Sequence, residues 1–314
     1  QDIWCIASNE SDLDNSVASG SFESSLIQSV KDRLQSDKKV GCYLSGGLDS
    51  SMIAYIIQRE GDREFECINL YRDTTDRDHQ YSRGVSEDLN VLLHSKRLEE
   101  QKPYRELIQV LHSPIMSSGA FVPFAGAKMA NESGLTVLLG GQGADEVMLG
   151  YHRFSSLGQT QLDVFDLLSN GSISLFTDLF SLSEDEKSRL IREYESIFTS
   201  CETGTIPKEQ RFYIKFFLHE LLRIEDHVHM RYSIENRVPY LSLSIRQLMN
   251  SGKLTRQKQD LIAYHRKLNT RVCSRKKENL NPSLVQELDA VKYEYLNLLS
   301  NHQVMGRLNY DKLT

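Results

Sequence analysis

Lys39-Val40-Gly41-Cys42-Tyr43-Leu44-Ser45-Gly46-Gly47-Leu48-Asp49-Ser50-Ser51 decides the fold of this chain. A β-type run over 40–44 breaks into a small-residue turn, and the apolar spacing of Met52, Ile53, Tyr55, Ile56 and Ile57 then predicts a helix. Glycines let a backbone turn tightly and bring its N–H groups close to a ligand, while the start of a helix carries partial positive charge. Together they form an anion cradle. It is not a Walker loop, because no Lys follows the last Gly and Asp49 stands near the helix start instead. A carboxylate beside bound phosphates is repulsive unless a divalent cation lies between them, so the predicted ligand is a magnesium-bound pyrophosphate group such as the end of ATP. Ser-Gly-Gly alone would read as an ordinary turn; the flanking strand and helix give it this meaning.

Outward from this corner, strands and helices alternate. Phe22, Leu26, Ile27, Val30 and Leu34 have helical spacing, and strands are expected over 66–71, 91–94 and 135–139. Helices are expected over 81–89, 104–111 and 122–131. Alternation of this kind implies an α/β fold with a doubly wound parallel sheet, whose ligands sit beyond the carboxyl ends of the strands. A second glycine-rich turn, Gly140-Gly141-Gln142-Gly143-Ala144-Asp145-Glu146, falls at such an end, so both turns should face one crevice. After residue 151, β-rich runs vanish and long amphipathic stretches over 163–182, 184–198, 208–223 and 284–299 predict a mostly helical half. Residues 1–20, polar around Trp4, read as a linker or a torn edge rather than a core element. Residues 21–314 then divide into an α/β core to about 151 and a helical part beyond.

The chain has 314 residues, 39% hydrophobic and 25% charged, with a net charge of -6. An acidic balance argues against nucleic acid as a partner, and the basic patch Arg271, Arg275, Lys276, Lys277 is only local. No apolar run is long enough to span a bilayer, and the start lacks the basic-then-apolar order of a signal peptide. Five scattered cysteines without a CxxC pair fit a reducing compartment, which makes cytoplasm the default expectation.

Asp and Glu in a first helical turn are commonly dipole complements. Asp145 stands out because the topology should set it opposite Asp49, where two carboxylates could share one magnesium ion. A third segment, 224–241, contains Glu235 and Arg237, and also His227 and His229, whose i,i+2 spacing points them apart on a helix. A fourth, Cys273-Ser274-Arg275-Lys276-Lys277-Glu278-Asn279, would alone be a solvated basic turn.

These four segments, in this order, resemble the synthetase domain of the asparagine synthetase family over about residues 4 to 282. The family pattern is Ser-Gly-Gly-Leu-Asp-Ser-Ser, Ser-Gly-Glu-Gly-Ala-Asp-Glu, Asp-Arg-x-Ser-Met-x-x-Ser-x-Glu-x-Arg-Val-Pro-Phe-Leu-Asp, and an Arg-x-Lys-Glu turn. GMP and NAD synthetases share the first motif only. The resemblance implies ATP and Mg2+ as cofactors, a carboxylic acid and ammonia or an amine as substrates, and a glutaminase domain or subunit as ammonia source. It implies that Ser45, Gly46, Gly47, Leu48, Asp49, Ser50 and Ser51 hold pyrophosphate, and that Asp49 and Asp145 bind the metal. It further implies that Leu70, Gly140 and Gly141 line the adenosine, that Lys277 touches the α-phosphate, and that Gln142, Gly143, Asp145, Glu235 and Arg237 shape the acceptor pocket. Lys277, Glu235 and Gln142 would then be the catalytic set.

Three positions depart from the pattern: Gln142 replaces its Glu, His227 its Arg, and Ser242 its final Asp. An amide cannot take up a proton as a general base, so aspartate as substrate does not follow directly. Cyclising or sugar-amidating relatives are the alternative within the same chemistry. A pyrophosphate-loop enzyme acting on tRNA and a non-catalytic ATP-binding partner protein are the alternatives outside it.

Overall fold

In the computed structural model, the described residues are 20–99, 103–112, 118–151, 183–200 and 206–272. Helix α1 (Phe22–Leu34) opens with a capping box: Ser21 Oγ accepts from Ser24 N–H and Ser24 Oγ accepts from Ser21 N–H. Strand β1 (Val40–Tyr43) leads through the first glycine corner into α2 (Leu48–Glu60). Then follow β2 (Glu66–Tyr71), α3 (Arg77–Leu89), β3 (Leu93–Arg97), α4 (Tyr104–Leu111), α5 (Phe121–Glu132), β4 (Val137–Leu139) and the short α6 (Ala144–Val147). The second half contributes α7 (Glu184–Ser200), α8 (Lys208–Phe212), a π-helical stretch (Tyr213–Leu218) and α9 (His219–Met230). Strand β5 (Glu235–Arg237), α10 (Leu243–Asn250) and α11 (Gln259–Lys267) complete the described chain.

All strand pairings are parallel, in the order β3-β2-β1-β4-β5. One face carries Val40, Cys42, Leu44, Val137 and Leu139, packed with Leu26 and Val30 of α1, Ile53 and Ile57 of α2, and Leu261 of α11. On the other, Leu138 and Ile68 pack with Met129 and Ala130 of α5. Helices on both faces make the sheet doubly wound, as the alternation implied. Gly41 has no room for a side chain, since a Cβ would crowd Leu135, Leu138 and the Glu66 carbonyl.

The boundaries shift where side chains intervene. Helix α3 starts at Arg77 rather than at 81, because the Asp76 carboxylate caps it by accepting from Asp78 N–H at 3.0 Å. Its left-handed C-cap Asn90 and the Val91 N–H bond to the Ser86 carbonyl keep 91 out of the next strand, so β3 covers Leu93–Arg97 instead of 91–94. The larger correction is β5. The second half is mostly helical as expected, but it returns one short strand to the sheet: β5 pairs with β4 in register Leu138↔Asn236, so the α/β core extends past residue 151. Three polar residues whose partner lies about a hundred positions earlier leave no local strand signal. The stretches expected over 163–182 and 284–299 fall outside the described residues.

Candidate active site

The first corner builds itself from local bonds. Ser45 N–H donates to Ser50 Oγ at 3.1 Å, the two hydroxyls lie 2.9 Å apart, and Gly47 N–H donates to Ser45 Oγ at 3.3 Å. Gly46 has φ +72°, and a Cβ there would run into the Asp78 carbonyl, Ser82 N and Tyr81 Cβ, so the start of α3 seals the turn from outside. Gly47 is the N-cap of α2 and brings no side chain to cap it. The helix start thus remains an anion cradle. Ser51 Oγ is buried and has no hydrogen-bond partner, a polar group that a ligand oxygen could satisfy.

The second corner lies directly against the first. A Cβ on Gly141 would be 3.0 Å from Asp49 Cβ and 3.3 Å from Ser50 N. Gly140 N–H donates to the Arg237 carbonyl at 2.9 Å, which fixes the corner to the end of β5. Gly143 takes φ +91° with the Leu241 side chain packed where a Cβ would stand. The corner then turns into α6 and brings Asp145 toward Asp49.

Between the two carboxylates lies Lys258. Its Nζ is 2.6 Å from Asp49 Oδ2 and 2.7 Å from Asp145 Oδ1, and the residue is buried. Burial works against a charge on Lys258, but the two carboxylates outweigh it and hold its pKa above the ordinary value. Gln257 and Lys258 both have φ 56°, in the left-handed region, at a cost of about 1 kcal/mol or more each. This lysine was missed from sequence, because the run 252–258 reads as a solvated basic turn.

Two further groups hold the start of α2. Tyr240 Oη donates to the Asp49 carbonyl at 2.9 Å. His265 Nε2 donates to the Leu48 carbonyl at 2.9 Å, while its Nδ1 accepts from Thr270 Oγ1 at 2.7 Å. Burial pushes the His265 pKa down to about 4, so the imidazole is neutral. The third motif reaches the site through Tyr240 and Leu241, not through the charged pair singled out from sequence.

The Glu235 and Arg237 side chains turn to each other, while the Arg237 backbone lies against the second corner. They form a bidentate pair at 2.8 and 2.9 Å, and Arg237 Nη1 donates to the carbonyls of Arg33 and Gln35, capping the end of α1. That end lies beside the far end of α2, where Arg63 donates to the Leu34 and Ser36 carbonyls. Alternation along β5 sends residues 235 and 237 to one face and Asn236 to the other. In this arrangement the two side chains serve the end of α1. Leu70 is likewise buried among Leu138 and Met129, so its side chain belongs to the core. Gln142 is half-buried between Gly141 and Gly143, within the second corner. Lys277 lies outside the described residues.

Beneath the second corner runs a buried polar chain. Tyr43 Oη donates to His229 Nε2 at 2.7 Å, and His229 Nδ1 donates to the Glu225 carbonyl at 2.6 Å. Asn236 Nδ2 donates to Glu225 Oε2 at 2.7 Å, and Asn236 Oδ1, buried with no partner, faces the position a Gly140 Cβ would take. Burial pushes the Glu225 carboxyl up to about 7, against the Asn236 bond and with help from the Glu146 charge; burial pushes His229 down to about 4. His227 turns away and bonds the Arg223 carbonyl, so the two histidines separate as their spacing implied.

The donor set suits a magnesium–phosphate group: two carboxylates already share one cationic atom, beside a helix start that no side chain caps. No helix among the described residues is long and apolar enough to cross a membrane.

The asparagine synthase family model matches residues 21–251. A putative glutamine-hydrolysing asparagine synthetase of Methanocaldococcus jannaschii is 33% identical over 139 residues, covering 42% of this chain and 25% of that protein. The glutamine-hydrolysing asparagine synthetase 2 of Bacillus subtilis is 25% identical over 238 residues, covering 69% and 31%. The chain thus spans about a quarter to a third of the length of these relatives. Among solved structures, the U34-tRNA thiolase NcsA of Methanococcus maripaludis aligns with 90% of this chain and 74% of its own at 13% identity and a TM-score of 0.35. With the family model covering most of its length, the chain belongs to the asparagine synthase family.

Proposed function

We propose that this chain is an ATP-dependent amide-forming synthetase. A substrate carboxylate oxygen attacks the α-phosphorus of ATP, pyrophosphate leaves into the first corner, and an acyl-adenylate results. Ammonia or an amine then forms the C–N bond as AMP departs with the C–O bond electrons. The observation that carries this reading is the meeting of Asp49 and Asp145 at one nitrogen. Two carboxylates so placed would repel a triphosphate unless a divalent cation intervened.

Asp49 and Asp145 would hold Mg2+, which supplies charge neutralisation for the phosphates when bound. The start of α2 receives the leaving pyrophosphate through backbone donors, and Tyr240 and His265 keep that helical turn in place. Lys277 is assigned the α-phosphate by resemblance. Gln142, as an amide, can orient the acceptor or the amine by hydrogen bonds but cannot remove a proton. That substitution favours a second reading within the same chemistry, with an acceptor other than aspartate. The similarity to the amidase chyE of Penicillium rubens, 25% identical over 147 residues and covering 41% of this chain and 22% of that protein, is in keeping with such breadth. A glutaminase domain or subunit would supply ammonia if the nitrogen source follows the named relatives.

The test is ATP–pyrophosphate exchange across a panel of carboxylic acids, aspartate first. Exchange that depends on one acid is expected. Nucleotide binding without exchange for any acid would make the chain a binding partner rather than a catalyst. Gln142→Glu separates the readings, since an asparagine-forming enzyme should keep or gain activity with aspartate.

A further inference from the structure

We propose that Lys258 stands in the place of the divalent cation while nucleotide is absent, so that Asp49 and Asp145 take up a metal only together with phosphates. This rests on the functional reading above for the identity of the second ligand, but not for the exclusion of metal.

The two cations compete for the same pair of carboxylates. Nζ sits 2.6 and 2.7 Å from one oxygen of each acid, a position from which its charge repels a magnesium or manganese ion that would share them. The lysine is enclosed: its N–H donates to the Met148 carbonyl at 3.4 Å, and its side chain fills the space over Gly150, where a Cβ would overlap both Lys258 and Asp145. A metal arriving alone must expel a buried ammonium from the two carboxylates that compensate its charge. A metal arriving with a triphosphate brings negative charge that lets the ammonium leave without becoming an uncompensated buried cation. Lys258 therefore couples two binding events that the carboxylates alone would allow separately.

The backbone is built for such a departure. Gln257 and Lys258 hold consecutive left-handed conformations, and on either side the chain is pinned. Thr255 N–H donates to Asp260 Oδ2 at 2.7 Å and Asp260 N–H donates to Thr255 Oγ1 at 2.9 Å. Relaxation of the two strained residues re-aims the lysine while that box keeps the start of α11 fixed.

The experiment measures Mn2+ binding to the whole chain by electron paramagnetic resonance, without nucleotide and with a non-hydrolysable ATP analogue. Without nucleotide, Lys258→Met is expected to bind Mn2+ about tenfold or more tightly than the natural protein, because the competing charge is gone. With the analogue, the difference should close. Equal Mn2+ affinity of the two proteins without nucleotide overturns the proposal. If the variant does not fold, the natural protein alone decides. Its melting temperature should be unmoved by Mn2+ and raised by Mn2+ plus analogue, and a rise with Mn2+ alone overturns the idea. Nucleotide affinity is read separately by a fluorescent ATP derivative. Its absence would remove the functional reading while leaving the Mn2+ contrast between the two proteins to judge Lys258.

Discussion

The two glycine corners face each other but are held in different ways. The first is stabilised by bonds among residues 45–51 and continues into a 13-residue helix. The second continues into a helix of only four residues, and its shape depends on distant groups. Gln210 donates to the Glu146 and Val147 carbonyls at 2.9 and 2.8 Å, Leu241 packs on Gly143, and Lys258 pairs with Asp145. The first corner has local bonds of its own, to which Tyr240 and His265 add from a distance, whereas the second rests on distant groups. A ligand that bridges them therefore reports on the packing of the whole second half.

The largest effect should come from breaking the local corner. Gly46→Ala meets both a left-handed φ and backbone atoms that cannot yield, and should destabilise the protein by about 3 kcal/mol or more. Nucleotide binding should fall with it. Gly143→Ala is equally left-handed, but the neighbour is the flexible Leu241 side chain, so about 1–2 kcal/mol is expected. Urea denaturation measures both, and equal losses would dissolve the distinction between the corners.

The pH dependence sharpens the comparison further. His265, above the first corner, and His229, beneath the second, are both held neutral with pKa values near 4, against 6.5 when unfolded. Each contributes stability that is complete above about pH 6.5 and fades as pH falls toward 4. Glu225, raised by burial from 4.5 to about 7, acts with the opposite sign: its native form binds the extra proton, so stability falls as pH rises through that window. Glu146, also raised by burial, works in the same direction as Glu225. The opposing groups should leave the natural protein with a shallow profile between about pH 4.5 and 6.5. Glu225→Gln removes one native proton and should make stability climb more steeply with pH, by about 1.4 kcal/mol per unit. Urea midpoints across that range check it; an unchanged slope would mean Glu225 is charged throughout.

The smallest effect is expected at Arg237, whose side chain bonds the end of α1. Arg237→Ala should cost about 1–2 kcal/mol through the lost cap on α1. Nucleotide affinity and the carboxylate KM in the exchange assay should hold within about twofold. A large rise in that KM would return Arg237 to the acceptor pocket.

The same distinction explains what was legible in the chain. The first corner could be read in full because strand, turn and helix are contiguous and each residue type has a local reason. Asp145 could be read because sheet topology sets both turns at carboxyl ends of strands. Lys258 could not, since a lysine in a basic turn looks the same whether solvated or buried between acids. Strand β5 was hidden because its three residues become a strand only by pairing with β4. Glu235 and Arg237 misled because charge near a motif suggests a pocket, whereas alternation along β5 turned them toward the end of α1 and left Asn236 facing Glu225.

The edges of the sheet have a bearing on solubility. Among the described residues its outermost strands are β3, with Lys96 and Arg97, and β5, only three residues long and opening with the exposed Glu235 carboxylate. Unpaired strand rims invite the addition of further strands from neighbouring molecules, and charge or brevity discourages it. Removing the charges from Lys96 and Arg97 would therefore trade little folding energy for a marked tendency to aggregate.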